Sequence, residues 1–505
     1  MSMLSRLWSA RWRTDVLVVL GVMVVVVAAF GVAPDEAPML LVVLPPAVLV
    51  AALALRFPLF AILLLVATSF VREPLNNMGL GDPVMAAFYG TVLSIGVGLL
   101  ARTVRAPRLG ALEAVMAAYA FWNVFSGLLP HEFEAVDAWR FIVTGTLLPI
   151  LLYLAGRTLF DREDAVRALL WMTVAFTLYS GLTAVIQFYG PQALVWPRFI
   201  VDDPGWEDRA VGIFKQPVTN GLLLVIGFVV ALYLAAQPTV RTVVRLGLWA
   251  TAGLAAAGVY LTYTRSAWLS LAIVVLAGAV LARGWRRPFV VSLVLGAAAV
   301  VANLGTLLSE DRSAGGVGSS NEVYDRLNIA ATSFQAILDH PIFGVGIGRF
   351  TAYNTDHHIA WSQEIDWNRG WAIASHENEL GITAELGIPG GLLWIALLVG
   401  IAWKLVSARR HLPADGLLGR GFATLALLVL ITWQATAVTV DMRFLDFAST
   451  LPFLIFGVAV GALDRHQDGA PPAPAGRAPA PPVPAGPPAG PQAEPPADRP
   501  VVASR

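Results

Sequence analysis

The chain contains no cysteine and carries little charge. The first absence excludes a disulfide framework, a thiolate metal site and a cysteine nucleophile, whichever side of a membrane the loops face. The second is of larger consequence. Charged residues make up 13% and hydrophobic residues 57% of the 505 positions, a balance that leaves too little polar surface for a water-soluble protein. A formal net charge of zero supplies no bulk field for nucleic acid, so none is expected as a partner. What is present is a succession of long apolar runs, which reads as an all-α polytopic membrane protein embedded in the lipid bilayer.

Cutting those runs at bilayer length gives roughly 14 transmembrane helices, near 15–33, 38–55, 57–71, 83–101, 111–128, 140–156, 167–189, 216–236, 247–263, 266–282, 289–308, 387–405, 421–440 and 445–463. Arg6, Arg11 and Arg13 precede the first run, which is longer than a signal-peptide core and is followed by further spans, so it reads as an uncleaved helix. The stretch around "LTYTRSAWLS" is instructive. A single helix from Gly247 to Ala282 would be about 54 Å long, nearly twice the hydrocarbon thickness. It is therefore expected to be two spans with a tight turn at Thr264 and Arg265, which places the guanidinium at a membrane face, where a charge costs far less than at the midplane.

With the N-terminus inside, the inner connections take Arg102, Arg105 and Arg108, then Arg157 and Arg162, Arg241 and Arg245, Arg283, Arg286 and Arg287, and Lys404, Arg409 and Arg410. That bias follows the positive-inside rule. Arg265 then faces outward, as do the two longest connections, 190–215 and 309–386. Residues 1–463 are expected to form one transmembrane domain. Within it, 309–386 is too long and too polar for a passive connector and reads as an extracytoplasmic functional loop containing short helices. Residues 464–505, rich in proline and alanine, cannot bury a core and are expected to be a disordered cytoplasmic tail.

Three outward clusters carry the chemistry. Arg209 and Lys215 stand just before the span that opens at Gln216, where side-chain cations add to the free N–H groups of a helix N-terminus to make an anion site; snorkelling at the interface is the competing explanation. Arg265 is flanked by Tyr263, Thr264 and Ser266, groups suited to holding a phosphate, although a lone arginine on a hairpin also serves as an interfacial anchor. The third cluster, His376, Glu377, Asn378 and Glu379, begins the outer end of a helix, and a histidine beside two carboxylates at a water-facing edge suits general-base work.

Upstream, Val323, Leu327, Ala330, Ala331, Phe334 and Ile337 repeat at helical spacing, which predicts an amphipathic helix on the membrane or on the other spans. Gly344, Gly346 and Gly348 suggest a turning backbone, and without a preceding strand they do not argue for a nucleotide. His357, His358 and His376 lack metal-ligand spacing, so no metal is expected. Tyr353, Trp361, Trp367 and Trp371 read equally as an interfacial belt or as a stacking surface for sugar rings.

The ordered series "RAVGIFKQPVTNG", "LTYTRSAWLSL", "DRLNIAATSFQAILDHPIFGVGIGRF" and "HENELGITAELGIPGG" resembles the bacterial O-antigen ligase and O-antigen polymerase family over about residues 205–392. The family's His-x10-Gly element corresponds to His376 and Gly387; many members have Asn directly after the histidine, whereas here Glu377 intervenes before Asn378. The resemblance implies a GT-C-like membrane glycosyltransferase of the bacterial inner membrane with its active face periplasmic. It would be inverting and independent of metal or other cofactor. The implied donor is a polyprenyl-diphosphate-linked glycan, and the acceptor a glycan or the lipid A core. The implied catalytic residues are His376, Glu377 and Arg265, and the implied substrate-binding residues are Arg209, Lys215, Gln216, Asn220, Thr264, Arg265 and Asn378. A transporter or flippase of lipid-linked saccharides is the alternative. It predicts ionisable residues at mid-membrane depth, whereas Glu113 and Asp446 lie near span boundaries.

Overall fold

The computed structural model describes residues 50–77, 82–135, 137–203, 205, 208–309, 321–357 and 373–469. The span expected at 15–33, most of that at 38–55, nearly all of the tail at 464–505, and His358, Trp361, Trp367 and Trp371 lie outside the described residues. Among those described there are helices and no strand. The main helices are α1 (Pro58–Phe70), α2 (Pro83–Leu100), α3 (Ala111–Leu128), α4 (Ala138–Leu159), α5 (Glu163–Tyr189), α6 (Pro217–Ala235), α7 (Thr242–Leu261), α8 (Arg265–Leu281), α9 (Arg287–Ala302), α10 (Asn321–Asp339), α11 (Phe350–His357), α12 (Asn378–His411), α13 (Arg420–Ala437) and α14 (Asp446–Gln467).

Each of the twelve spans expected between 57 and 463 falls on one of these helices. Nine of the described helices are long and apolar enough to cross a membrane, and α1, α8 and α9 are shorter apolar helices. The protein is a multi-pass membrane protein. Starts are set by local chemistry: proline occupies the first turn of α1, α2, α6 and α9, where its missing N–H costs nothing, and Asp82 caps α2 by accepting from the N–H groups of Val84 and Met85. The centre is formed by α6 and α14, whose apolar windows are 94% and 100% buried. By contrast, of all the residues of α9 only Phe289 is buried.

Successive spans alternate in direction, and the basic residues expected on the inner face gather at one end. There Arg157 pairs with Glu113 and Asp464 at 2.5 Å each, Arg108 pairs with Asp468 at 2.5 Å, and Arg409 donates to the carbonyl of Leu281. The opposite end collects the starts of α6, α8, α12 and α14 and the ends of α3, α5, α7 and α13. There the Ala210 N–H bonds the Leu261 carbonyl, Met442 N–H bonds Asn378 Oδ1, and Gln434 Nε2 bonds Glu379 Oε1.

Two boundaries refine the sequence reading. The turn between α7 and α8 spans only Thr262 to Thr264, and Arg265 is the first residue of α8, as expected for a tight hairpin. The span expected from 387 is the inner part of a helix that begins at Asn378, beside the His376 cluster as expected, where Glu377 caps it by accepting from the Leu380 N–H. Its apolar stretch starts only after a break at Gly387, whose φ of 71° and ψ of 178° are open essentially to glycine alone. The break is filled by the preceding loop: Val345 N–H bonds the Ala384 carbonyl, Gly346 N–H that of Glu385, and Ile388 N–H that of Pro341. Gly344, Gly346 and Gly348 all have positive φ, so the glycine triplet shapes a docking loop for the bent helix.

Candidate functional site

At the end where α8 and α12 begin, α10 lies against the start of α12 and the two enclose a cavity of about 370 Å³. One wall is apolar, formed by Val323, Leu327 and Ala330 of α10 with Leu380 and Val438. The other is polar, formed by Arg326, Ser375, His376 and Glu377. The helical spacing noted in the sequence explains the first wall, since Val323, Leu327 and Ala330 share one face of α10. The second wall is held by a local turn: Ser375 Oγ donates to the Glu377 carbonyl at 2.8 Å and accepts from the Glu377 N–H at 3.3 Å, which presents His376 just ahead of the helix.

The electrostatics are unusual for their lack of compensation. Among the described residues no carboxylate lies within ion-pair distance of Arg326. Its guanidinium faces the cavity, and its pKa is lowered by desolvation and by the nearby positive charge of Arg265. Even lowered, an arginine stays protonated near neutral pH. The His376 imidazole is pushed below the ordinary histidine range by burial first and by Arg326 second, with Asp325 acting in the opposite direction. It is thus held neutral, the form a general base requires. Glu377 is pushed up to about 8 by burial and by sharing a hydrogen bond with Glu379, so its carboxyl is largely protonated at neutral pH and does not cancel the cavity's positive charge. Glu377 therefore serves as the cap of α12 and as a hydroxyl-bearing wall group.

Sequence-predicted site residues separate into two sets. His376 and Glu377 line the cavity. Arg265 acts electrostatically on Arg326 from the start of α8. Arg209 lies at the same end, its carbonyl accepting from Gln187 Nε2 at 2.9 Å and the adjacent Ala210 bonded to Leu261, next to the Arg265 turn; desolvation lowers its pKa. The remaining residues do not line the cavity, because each is engaged elsewhere. Lys215 is on the surface, paired with Asp203 at 2.8 Å. Gln216 caps α6 through the Val218 N–H. Buried Asn220 donates to the Ala210 carbonyl at 2.9 Å, and Thr264 Oγ1 donates to the Thr262 carbonyl at 2.9 Å. Asn378, fully buried, accepts from the Met442 N–H at 3.0 Å. These side chains build the frame around the segments that carry Arg209, Arg265 and His376.

Beneath the cavity sits a second charge cluster that the sequence reading missed. Arg443 bonds Glu385 Oε2 at 2.7 Å and both oxygens of Asp441, at 2.9 and 2.5 Å, with all three side chains at most 3% exposed. Burial opposes the charge on Arg443, and the two carboxylates more than offset it, so its pKa is raised. Glu385 Oε1 also accepts from the Phe350 N–H at 3.0 Å, tying α11 and the glycine loop to the same core.

Arg326 was missed as well. The sequence signal was present in "DRLNIAATSF", where a single arginine interrupts an amphipathic face, but nothing local says that the face turns toward a histidine 50 residues further on.

No curated protein matches the chain in sequence. Residues 250–395 match the family described as O-antigen ligase, a stretch running from the middle of α7 past the break in α12. It contains Arg265, Arg326, His376, Glu385 and Gly387, and by this match the resemblance read from the sequence stands: the chain is similar to the O-antigen ligase and polymerase family through the segment that builds the cavity.

Proposed function

We propose that the protein is a membrane glycosyltransferase that moves a glycan from a polyprenyl-diphosphate carrier to an acceptor hydroxyl on the extracytoplasmic face. In this reading the full chain has about 14 spans in a GT-C-like arrangement. It sits in the bacterial inner membrane with the cavity end periplasmic. What supports it most is one coincidence: Arg265, Arg326 and His376 come from three separate segments of the matched region and meet at one cavity end.

The chemistry follows from the charges. The acceptor oxygen attacks the anomeric carbon while its proton passes to the neutral imidazole of His376. The bond from that carbon to the phosphate oxygen breaks, and its electron pair leaves with the diphosphate. Arg209 and Arg265 stabilise the charge that develops there, the role a metal ion plays in other transferases. Direct attack from the face opposite the leaving group inverts the sugar carbon. Glu377, protonated, donates to a sugar or acceptor oxygen.

The test is incubation of the purified full chain with a labelled polyprenyl-diphosphate-linked glycan and, in separate arms, lipid A core, glycan chains or a protein acceptor. Transfer to lipid A core assigns a ligase, and growth of glycan chains a polymerase. Arg265→Ala is expected to lower the rate by roughly 10²–10³-fold. A donor left intact in every arm overturns the reading.

A further inference from the structure

We infer that Glu379, fixed by Gln434 of α13, is a positioning residue of the proposed transfer: it keeps a proton on the Glu377 carboxyl, so that the wall facing the glycan is uncharged and the charge of the pair lies behind it. The inference rests on the reading of the cavity as a glycan-transfer site.

Geometry is the first argument. Glu377 lines the cavity beside His376, and its Oε2 accepts from the Leu380 N–H to cap α12. Glu379 follows two positions later and does not line the cavity. Its Oε1 accepts from Gln434 Nε2 at 2.9 Å, a bond that crosses to α13 and sets the carboxyl in place. Its Oε2 is buried and finds no N–H, hydroxyl or cation among the described residues. What does hydrogen-bond Glu379 is the carboxyl of Glu377. Two carboxylates cannot bond each other, whereas a carboxyl and a carboxylate can, so the contact requires one proton. That proton supplies the donor that the buried oxygen otherwise lacks.

The charges around the pair are the second argument. Two other helices starting at this end have caps that are either neutral or matched by cations. Gln216 on α6 is an amide, and Asp82 on α2 lies 3.2 Å from Arg72 and 3.1 Å from Arg140. Glu377 has neither arrangement. Arg326 and His376 line the same cavity, with Asp325 beside Arg326 on α10, yet among the described residues no cation forms an ion pair with Glu377. Arg443, Asp441 and Glu385 are bonded to one another. The charge that acts on Glu377 is that of Glu379, and burial first, then the bond to Glu379, pushes its carboxyl up to about 8.

The third argument is chemical. A carboxylate in this wall would repel an anionic donor substrate, while an uncharged carboxyl does not. In the free site its hydrogen rests on Glu379, and a substrate oxygen entering the cavity competes for it. Glu379 therefore acts through Glu377 without touching the substrate.

The test follows protonated carboxyls by their infrared carbonyl band, on the full chain in detergent micelles, between about pH 6 and 9, where ordinary carboxylates are ionised. The Glu377 component is the one that Glu377→Gln removes. It is expected to titrate at about 8 in the parent and at least about one unit lower in Glu379→Gln, which removes the neighbouring charge and leaves Gln434 an acceptor. The alkaline limb of the transfer rate, measured with a labelled polyprenyl-diphosphate-linked glycan, is expected to move down with it, because the uncharged form is lost as pH rises. The position of that limb is the reading, since a merely structural role would change only the height of the plateau. The two movements together support the inference. A Glu377 band that titrates alike in Glu379→Gln and the parent overturns it, and so does a limb that stays in place while the band moves. A band that moves as expected in a protein that transfers no glycan to any acceptor overturns the transferase reading alone.

Discussion

Two clusters of charge lie close together at the same end of the bundle, and they are built on opposite principles. In the Arg443 cluster, one cation faces two carboxylates, all seven of their polar side-chain atoms are hydrogen-bonded, and almost nothing is exposed. In the cavity, Arg326 faces no carboxylate partner among the described residues, Arg265 repels it, and it in turn repels the proton of His376. Removing a charge from water costs several kcal/mol unless it is paired. The first cluster meets that cost internally and fixes the backbone, holding the start of α14, the bend of α12 and the glycine loop together. In the second, Arg326 stays exposed at the cavity and its charge is left to solvent, which suits the anionic ligand of the proposed function. Under the proposed function, stability and binding are thus divided between two arginines at the same end of the bundle.

The division is broken most severely by Arg443→Ala. That change strands Glu385 and Asp441 without their cation, and the expected loss is about 3–5 kcal/mol of folding stability. Thermal unfolding in detergent would show it as a large drop in midpoint. The matching change in the cavity, Arg326→Gln, is expected to move stability by no more than about 0.5 kcal/mol, since no internal partner is lost. Equal destabilisation by the two would erase the distinction.

Next in size is the hinge between them. Gly387→Ala forces a side chain into backbone angles that only glycine adopts and drives its Cβ into the Ile342 carbonyl. An expected cost of at least about 1–3 kcal/mol would show in the same unfolding assay, together with reduced transfer as His376 and the cavity wall shift. Unchanged stability would mean that the bend is not what seats the loop.

The smallest effect is the most diagnostic. A positive neighbour disfavours imidazolium, so Arg326→Gln is expected to raise the His376 pKa, moving the acid limb of the transfer-rate profile to higher pH. Asp325→Asn removes a favourable negative charge and is expected to move that limb to lower pH. Opposite displacements by these two variants, read from pH profiles or from the imidazole resonance, would place His376 between them. No displacement in either would detach the histidine from α10.

Much of the fold was legible because a membrane span is a local signal: each of the twelve apolar runs within the described residues falls on a helix, nine of those helices are long and apolar enough to cross a membrane, and the arginines between them mark one end. Arg265 and His376 were legible for the same reason, since polar groups at the ends of apolar runs stand out. Lys215, Gln216, Asn220 and Asn378 stood out equally, but their side chains close backbone caps and loops, a use that depends on which atoms fold back within hydrogen-bond reach. Arg443, Asp441 and Arg326 were not legible at all. Arg443 and Arg326 meet groups from other elements, Glu385 and His376, and no spacing rule links positions 50 or more apart; Asp441 matters through its bonds to Arg443. The polar cluster at His376 marked the outer start of α12, and the span at 387 marked only where its apolar run begins, because the cap at Glu377 starts the helix nine positions earlier.

The most direct test of the account is the transfer rate of purified His376→Ala with a labelled polyprenyl-diphosphate-linked glycan, measured beside its affinity for farnesyl diphosphate. A folded protein that keeps donor affinity within about twofold of the parent and loses roughly 10²–10⁴-fold in rate is the predicted result. Transfer at the parental rate would contradict it.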